Sequence, residues 1–359
     1  MRHARIKAEG TGCYHVISRI VDRNFRMDDM EKEIFRGIMR RAEVFSGVHV
    51  LTYAILSNHF HLLVEVPTRG VVTEAELLRR VKALYGTTYA AEMARQWTEW
   101  HRGSMSYLVD EQQDKLRLRM GDVSAFVKTL KQRYSMSYNG RHDRRGTLWE
   151  DRFKSVLVEN AEHAKATVAA YIDLNPVRAK LVEDPKDYRW SGYGEACGGS
   201  QLAKEGLIAV HTSRGLEHPG TWRHVAKRYR ILLYIQGEER HAAWGNNTVI
   251  RPGITHPQVT HVLETQGKLT LPQALRCRVR YFTDGLALGN TAFINEIFKQ
   301  NRRFFGSKRR DGARKMRNAE WGELRVARAL RISPVQIPEM PYASRNRTAI
   351  PINPMGLPT

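Results

Sequence analysis

Alternation and helical periodicity of apolar positions divide the chain into predicted elements. Residues 13–20 (CYHVISRI) predict a strand, residues 30–46 a helix, and residues 48–66 two strands joined tightly through Ser57 and Asn58. From Thr73 to about Trp100, and again from Gly121 to Tyr138, apolar residues recur at helical spacing. Leu77, Leu78, Val81 and Leu84 form the clearest run, and a polar, mobile loop is expected between the two stretches. Asn160 is placed to cap a helix through AEHAKATVAAYIDL, which should stop at Asn175-Pro176 because proline disfavours helix in the residue before it.

The periodicity changes character after Trp190. SGYGEACGGSQ concentrates glycine and serine, so a domain boundary is expected near residue 200. A basic, mainly helical accessory unit is expected over 201–331. Its segments LPQALRCRVRYF and NTAFINEIFKQN, joined by a glycine-containing turn, are candidates for a helix-turn-helix. From about Ile332 to Thr359 repeated prolines without an amphipathic period predict a tail. No internal repeat suggests a solenoid.

Charge narrows the function. The 359 residues carry 58 Lys and Arg against 37 Asp and Glu, a formal +21, interleaved with Trp, Tyr and Phe, which points to a nucleic-acid partner. No apolar run is long enough to span a bilayer, and MRHARIKAEGTG lacks the apolar core of a signal peptide, so no membrane partner and a cytoplasmic protein are expected. Cys13, Cys197 and Cys277 are odd in number and far apart, which predicts reduced thiols.

Candidate chemistry begins in NHFHLLVEV. On a strand His59 and His61 project from one face and Phe60, Leu62 and Val64 from the other, so two imidazoles are placed to grip one ion. The pair by itself also fits buried or solvated histidines. Tyr171 and Asn175 are four residues apart and share a helical face, as nucleophile and oxygen ligand or as core. Tyr134 and Tyr138 compete as nucleophiles and read as packing residues. His15 reads as a partnered structural histidine.

Five stretches in order carry more information: YHVISR at 14–19, NHFHLLVEVP at 58–67, GTLWEDRFKS at 146–155, YIDLNPVRAKLV at 171–182 and DYRWSGY at 187–193. Together they resemble the HUH single-tyrosine transposases, especially the REP-associated tyrosine transposases of bacteria, over about residues 1–195. The resemblance implies an α+β, ferredoxin-like antiparallel sheet with packed helices in a catalytic domain over 1–200. It implies Mg²⁺ or Mn²⁺ on His59 and His61, Asn175 as third ligand and Tyr171 as nucleophile. The implied activity is nicking and rejoining of single-stranded DNA at hairpins or repeats through a 5′-phosphotyrosine. Such rejoining needs no ATP, in keeping with the lack of a G-x-x-x-x-G-K-[ST] loop.

The chain departs from that pattern by an insertion over about 68–120 and by its long C-terminal half. A regulator that binds nucleic acid without cutting, or a relaxase- or replication-initiator-like nicking enzyme, are the competing readings; monomer and homodimer both stay open. Phosphate and base contacts are expected from Lys131, Arg133, Arg141, Arg144, Arg145, Trp149, Arg152 and Lys154, and from a second basic cluster that includes Arg309 and Arg310. Deleting 200–359 is expected to weaken DNA binding and leave the Tyr171 chemistry intact.

Overall fold

A strand that alternates side chains between two apolar layers needs hydrophobic residues on both faces, and β1 (Gly12–Arg19) has them: Tyr14 and Val16 look one way, Cys13 and Ile17 the other. In the computed structural model, which describes residues 5–24, 26–212, 221–234, 240–241, 249–251, 271–275 and 278–328, β1 is central. It pairs antiparallel with β3 (His59–Val66) on one side and β4 (Lys154–Val158) on the other, and β2 (His49–Ile55) pairs antiparallel with β3.

The expected helix α1 (Asp29–Ser46) follows β1. Asp28 caps it by accepting from the Glu31 amide, Phe35, Ile38, Met39, Ala42 and Phe45 form its buried stripe, and Gly47 ends it at φ 67°. The long α5 (Val123–Arg141) lies beside it; Glu31, buried on α1, accepts from Tyr134, Arg141 and His142. These two helices cover the sheet face lined by Val16, Phe60 and Leu62.

The region expected as one helical stretch and a mobile loop forms three helices, α2 (Glu74–Tyr85), α3 (Thr87–Arg102) and α4 (Ser106–Arg117). Gly86 splits the first stretch at φ 96°, and the polar segment after it stays helical because Val109 and Leu116 find the core.

The opposite face is lined by Cys13, Leu63, Val156 and Val158 and carries α6 (Glu162–Asp173), buried from Ala164 onward. The expected Asn160 cap is not made. Ala161 occupies that position, while the Asn160 amide donates to Glu65 over 3.4 Å. Small residues let α6 sit between the sheet and the outer helices α8 (Gly192–Cys197), α9 (Gln201–Val210) and α10 (Trp222–Tyr234). Buried Asp173 ties these layers together, accepting from Thr52 on β2 at 2.9 Å, the Tyr193 amide on α8 and Tyr229 on α10 at 2.6 Å. A one-turn helix, α7 (Asn175–Arg178), continues the path of α6 past Leu174, whose backbone remains helical.

The sheet does not end where the sequence places a boundary. Among the described residues it has seven strands in the order β2-β3-β1-β4-β7-β9-β8, with β7 (Ala287–Gly289), β8 (Arg314–Lys315) and β9 (Arg325–Ala327) supplied by the C-terminal half. β7 runs parallel to β4 through Leu157–Ala287 and Val158–Leu288. A separate two-stranded ribbon pairs β5 (Arg240–His241) with β6 (Val249–Arg251).

The proposed helix-turn-helix is likewise replaced. Short α11 (Leu271–Leu275) and α12 (Arg280–Asp284) are followed by β7 and only then by α13 (Thr291–Gln300), because the buried run Ala287-Leu288 adds to the sheet rather than forming a turn. Cys277 and the tail from Ile332 lie outside the described residues. Cys13 and Cys197 are free thiols, and among the described residues no helix is long and apolar enough to cross a membrane.

Candidate active site

The β1–β3 ladder sets the site. Its register places Arg19 opposite His59, Ile17 opposite His61 and His15 opposite Leu63, so His15, Arg19, His59 and His61 share the face that α6 covers. His15 and His61 lie diagonally across the ladder, and their Nε2 and Nδ1 atoms are 2.9 Å apart.

The hydrogen bonds fix the tautomers. His15 Nδ1 lies 2.8 Å from the Phe282 carbonyl, which only accepts, so that nitrogen carries the proton and donates. Neutral His15 therefore accepts at Nε2 from His61 Nδ1–H, which leaves the His61 Nε2 lone pair free. His59 Nδ1 donates to the Asn58 amide oxygen at 2.6 Å, and the Asn58 amide nitrogen donates to the Arg23 carbonyl. The amide orientation is thereby set, and His59 too is left with a lone pair on Nε2. The two rings are 5.2 Å apart, centroid to centroid.

Neutral imidazoles are what this environment enforces. Burial above all, with the nearby Arg19, Arg178 and Arg278 charges, brings His59 down to about 3. Burial lowers His15 to about 4 and pushes His61 well below the usual histidine range, with His15, His59 and Arg178 adding to the effect.

Helix α6 delivers Tyr171 to the same face. Its ring stands edge-on to His61 at 6.2 Å and to His15 at 6.1 Å, and Phe282 of α12 packs against it at 4.9 Å. The Arg178 guanidinium lies 4.0 Å over the Tyr171 ring and donates to the carbonyls of Tyr171 and Leu275. The residue is 3% exposed, and among the described residues its hydroxyl makes no hydrogen bond. Asn175, 9% exposed, follows one turn later, and its amide makes none either.

Two imidazoles with Nδ1 engaged and Nε2 free are the donor type that suits a divalent cation of borderline character. Among the described residues no group of three or more His, Cys, Asp or Glu is arranged as a metal site. A third ligand from a carboxylate or thiolate is therefore not on offer among the described residues.

No family model matches the chain, and no curated protein does. Among solved structures it is similar to a REP-associated tyrosine transposase bound to a REP hairpin, at 13% identity and a TM-score of 0.35, over 56% of this chain and 90% of that one.

The expected nucleic-acid contacts divide into two groups. Arg152 and Lys154 line a cavity beside the histidines, and Arg145 and Arg310 are exposed. The others are engaged in the fold. Lys131 donates to the Asp151 carbonyl and is lowered to about 8 by burial, and Arg133 donates to the Leu84 carbonyl. Arg141 pairs with Glu31, Arg144 donates to the Thr147 carbonyl, and Arg309 donates to three backbone carbonyls. Trp149 corrects the stacking expectation: its ring is buried against Phe35 and Phe60 and its indole N–H donates to Ser135, so it presents no face to a base.

Arg19, Arg178 and Arg278 are cations at the site that sequence reasoning did not select. Arg19 was within reach, since positions 15, 17 and 19 of one strand share a face. Arg278 has no local signal, because only the tertiary fold returns the helix Arg280–Asp284 that follows it to β1 and β4.

Proposed function

We propose that the protein nicks and rejoins single-stranded DNA, with Tyr171 as nucleophile and His59, His61 and Asn175 as the holders of a divalent ion. The observation that carries this reading is the convergence of two free Nε2 lone pairs and the Tyr171 phenol on one sheet face ringed by arginine. The order β2-β3-β1-β4, with helices α1 and α5 as the crossovers on one face, supports reading the first four strands as a ferredoxin-like unit.

In the step proposed, Tyr171 Oη attacks the phosphorus, a P–Oη bond forms and the P–O3′ bond breaks. The phenol loses a proton, the departing 3′-oxygen takes one up, and the 5′ side remains on Tyr171 as a phosphotyrosine. The energy of the phosphodiester is kept in that bond, so attack by a 3′-hydroxyl reverses the step. A bound Mg²⁺ or Mn²⁺ supplies Lewis-acid charge at the phosphate. Arg178, stacked on the ring and bonded to the Tyr171 carbonyl, orients the phenol. The burial of His15 and His61 keeps water from competing at their inner nitrogens.

The test uses a labelled hairpin oligonucleotide with Mn²⁺. Wild type should form a covalent adduct, while Tyr171→Phe should bind equally and form none, and EDTA should abolish the adduct. An adduct on Tyr171→Phe would reassign the nucleophile, and an undiminished one in EDTA would remove the metal.

One observation favours a second reading. Phe282, on a helix from the C-terminal half, covers the ring of Tyr171, as a regulator that binds DNA without cutting it would allow. Specific binding by wild type with no adduct on any hairpin or repeat tested would select it.

A further inference from the structure

Beside His59, which Arg19 faces in the ladder, a cavity of about 300 Å³ opens along Ile17–Arg19 of β1. Its walls come from three separated stretches: Arg19 and Arg23 from the end of β1 and the turn after it, Arg152 and Lys154 from the approach to β4, and Arg278, Thr283 and Asp284 from the C-terminal half. Lys154 is already matched by Asp284 at 2.9 Å, and Glu150 and Asp151 line the same space, which leaves Arg19, Arg23, Arg152 and Arg278 in excess of the remaining acids. Arg19, Arg23 and Arg278 face one another as like charges, close enough that Arg278 and then Arg23 add to burial in lowering the Arg19 pKa.

The backbone spends strain to build this wall. Asp22 and Arg23 both sit in the left-handed region, at φ 58° and 56°, a conformation that non-glycine residues rarely adopt. The turn is held by the Ile20 amide donating to the Asn58 carbonyl and the Val21 amide donating to the Leu148 carbonyl, and it places Arg23 in the cavity wall. Guanidinium groups brought together from a strand, a strained turn and the C-terminal half suit an anion, since the two non-bridging oxygens of a phosphodiester offset their like charge and accept from several N–H groups at once.

We infer that this cavity, completed by Arg278, seats the phosphate and sugar of one unpaired nucleotide next to the bond that is cut. The inference rests on the proposed nicking function for its position in the reaction, though not for the binding itself. A cavity of this size is at the low end for ligand sites and takes one nucleotide, not a duplex. Arg19, opposite His59 in the ladder, bridges the two compartments, so a strand whose scissile phosphate lies over the histidines continues directly into the cavity. The C-terminal half thus enters substrate binding through Arg278 rather than through a detached DNA-binding module.

Arg278 is exposed, so Arg278→Ala should leave the urea midpoint unchanged; if it moves, Arg23→Ala on the facing wall replaces it. Binding of a fluorescein-labelled single-stranded oligonucleotide by the full chain in EDTA should weaken about tenfold in Arg278→Ala, and the slope of log affinity against log salt should shrink by about 0.7. Thymidine 5′-monophosphate should compete with the oligonucleotide on wild type and much less on the variant, and thymidine should compete on neither. Unchanged affinity and salt slope, or equal competition by the nucleoside, would overturn the inference. The two readings separate cleanly. Weakened binding in Arg278→Ala with no covalent adduct in wild type keeps the cavity and loses the nicking, whereas a wild-type adduct with unaltered Arg278→Ala binding does the reverse.

Discussion

His15, read from the sequence as a partnered structural histidine, has those partners in Phe282 and His61, and the hydrogen bonds make it the part that orients His61. Removing it should free the His61 ring to exchange tautomers. His15→Leu is therefore expected to weaken Mn²⁺ binding by about 10–100-fold while leaving DNA binding in EDTA unaltered, measured by calorimetry and by anisotropy. Equal Mn²⁺ affinity would show that the His15–His61 bond is not what sets the ligand nitrogen. Acidification probes the same residues. The folded chain holds His15, His59 and His61 below their ordinary pKa of 6.5, so their contribution to stability is full above that value and is lost as pH falls toward 4. Asp173 runs the other way: burial raises it to about 7, so its contribution is present at low pH and lost as pH rises to neutrality. Three imidazoles outweigh one carboxyl, and the urea midpoint in EDTA should be lower at pH 5 than at pH 7; an equal or higher midpoint would contradict the buried neutral assignment. Asp173 itself was legible only as part of a motif, since nothing in YIDLNP says that its carboxylate faces away from Tyr171 toward Thr52 and Tyr229.

Elements that announce themselves by period were read correctly, and those set by close approach were not. The alternation in NHFHLLVEV and the stripe of α1 survive intact because each is a local pattern matched to one buried face. The strand Ala287–Gly289 is too short to show a period, and it is a strand because β4 and β9 pair with it on either side. Helix α9 illustrates contact of a kind no period records. A Cβ at Gly206 would stand 2.5 Å from the Leu51 carbonyl and 3.0 Å from that of Val50, so the helix backbone rests on β2 where the ladder slips between Val50 and Thr52. Within a helix, Gly→Ala ordinarily gains about 1 kcal/mol. Here the clash is with backbone that cannot step aside, so Gly206→Ala should reverse the sign and cost about 1–3 kcal/mol. Urea unfolding with an unchanged m-value measures it; a stabilised variant would mean that α9 can lift from β2 without loss.

At the scale of the molecule, residues beyond the expected division at 200 are built into the same sheet and site as those before it. Ala287 and Leu288 are fully buried and extend the sheet from β4; the Phe282 carbonyl holds His15, and the Leu275 carbonyl holds Arg178. A glycine-rich stretch such as SGYGEACGGSQ marks a change of local pattern, yet here it caps and joins helices, with Gly194 so close to the Tyr188 carbonyl that a Cβ would lie 2.0 Å away. Removing residues 200–359 would therefore expose the β4 edge, leave β2 without the α9 packing against it, and take one carbonyl partner each from His15 and Arg178. The truncated chain should lose the cooperative unfolding transition of the full chain or aggregate, rather than persist as a catalytic domain with weaker DNA binding. Thermal unfolding followed by circular dichroism, together with size-exclusion chromatography of residues 1–199, decides it. A monomeric fragment that unfolds cooperatively at the midpoint of the full chain would restore the two-domain reading, because the C-terminal strands would then be an addition to a sheet that is complete without them.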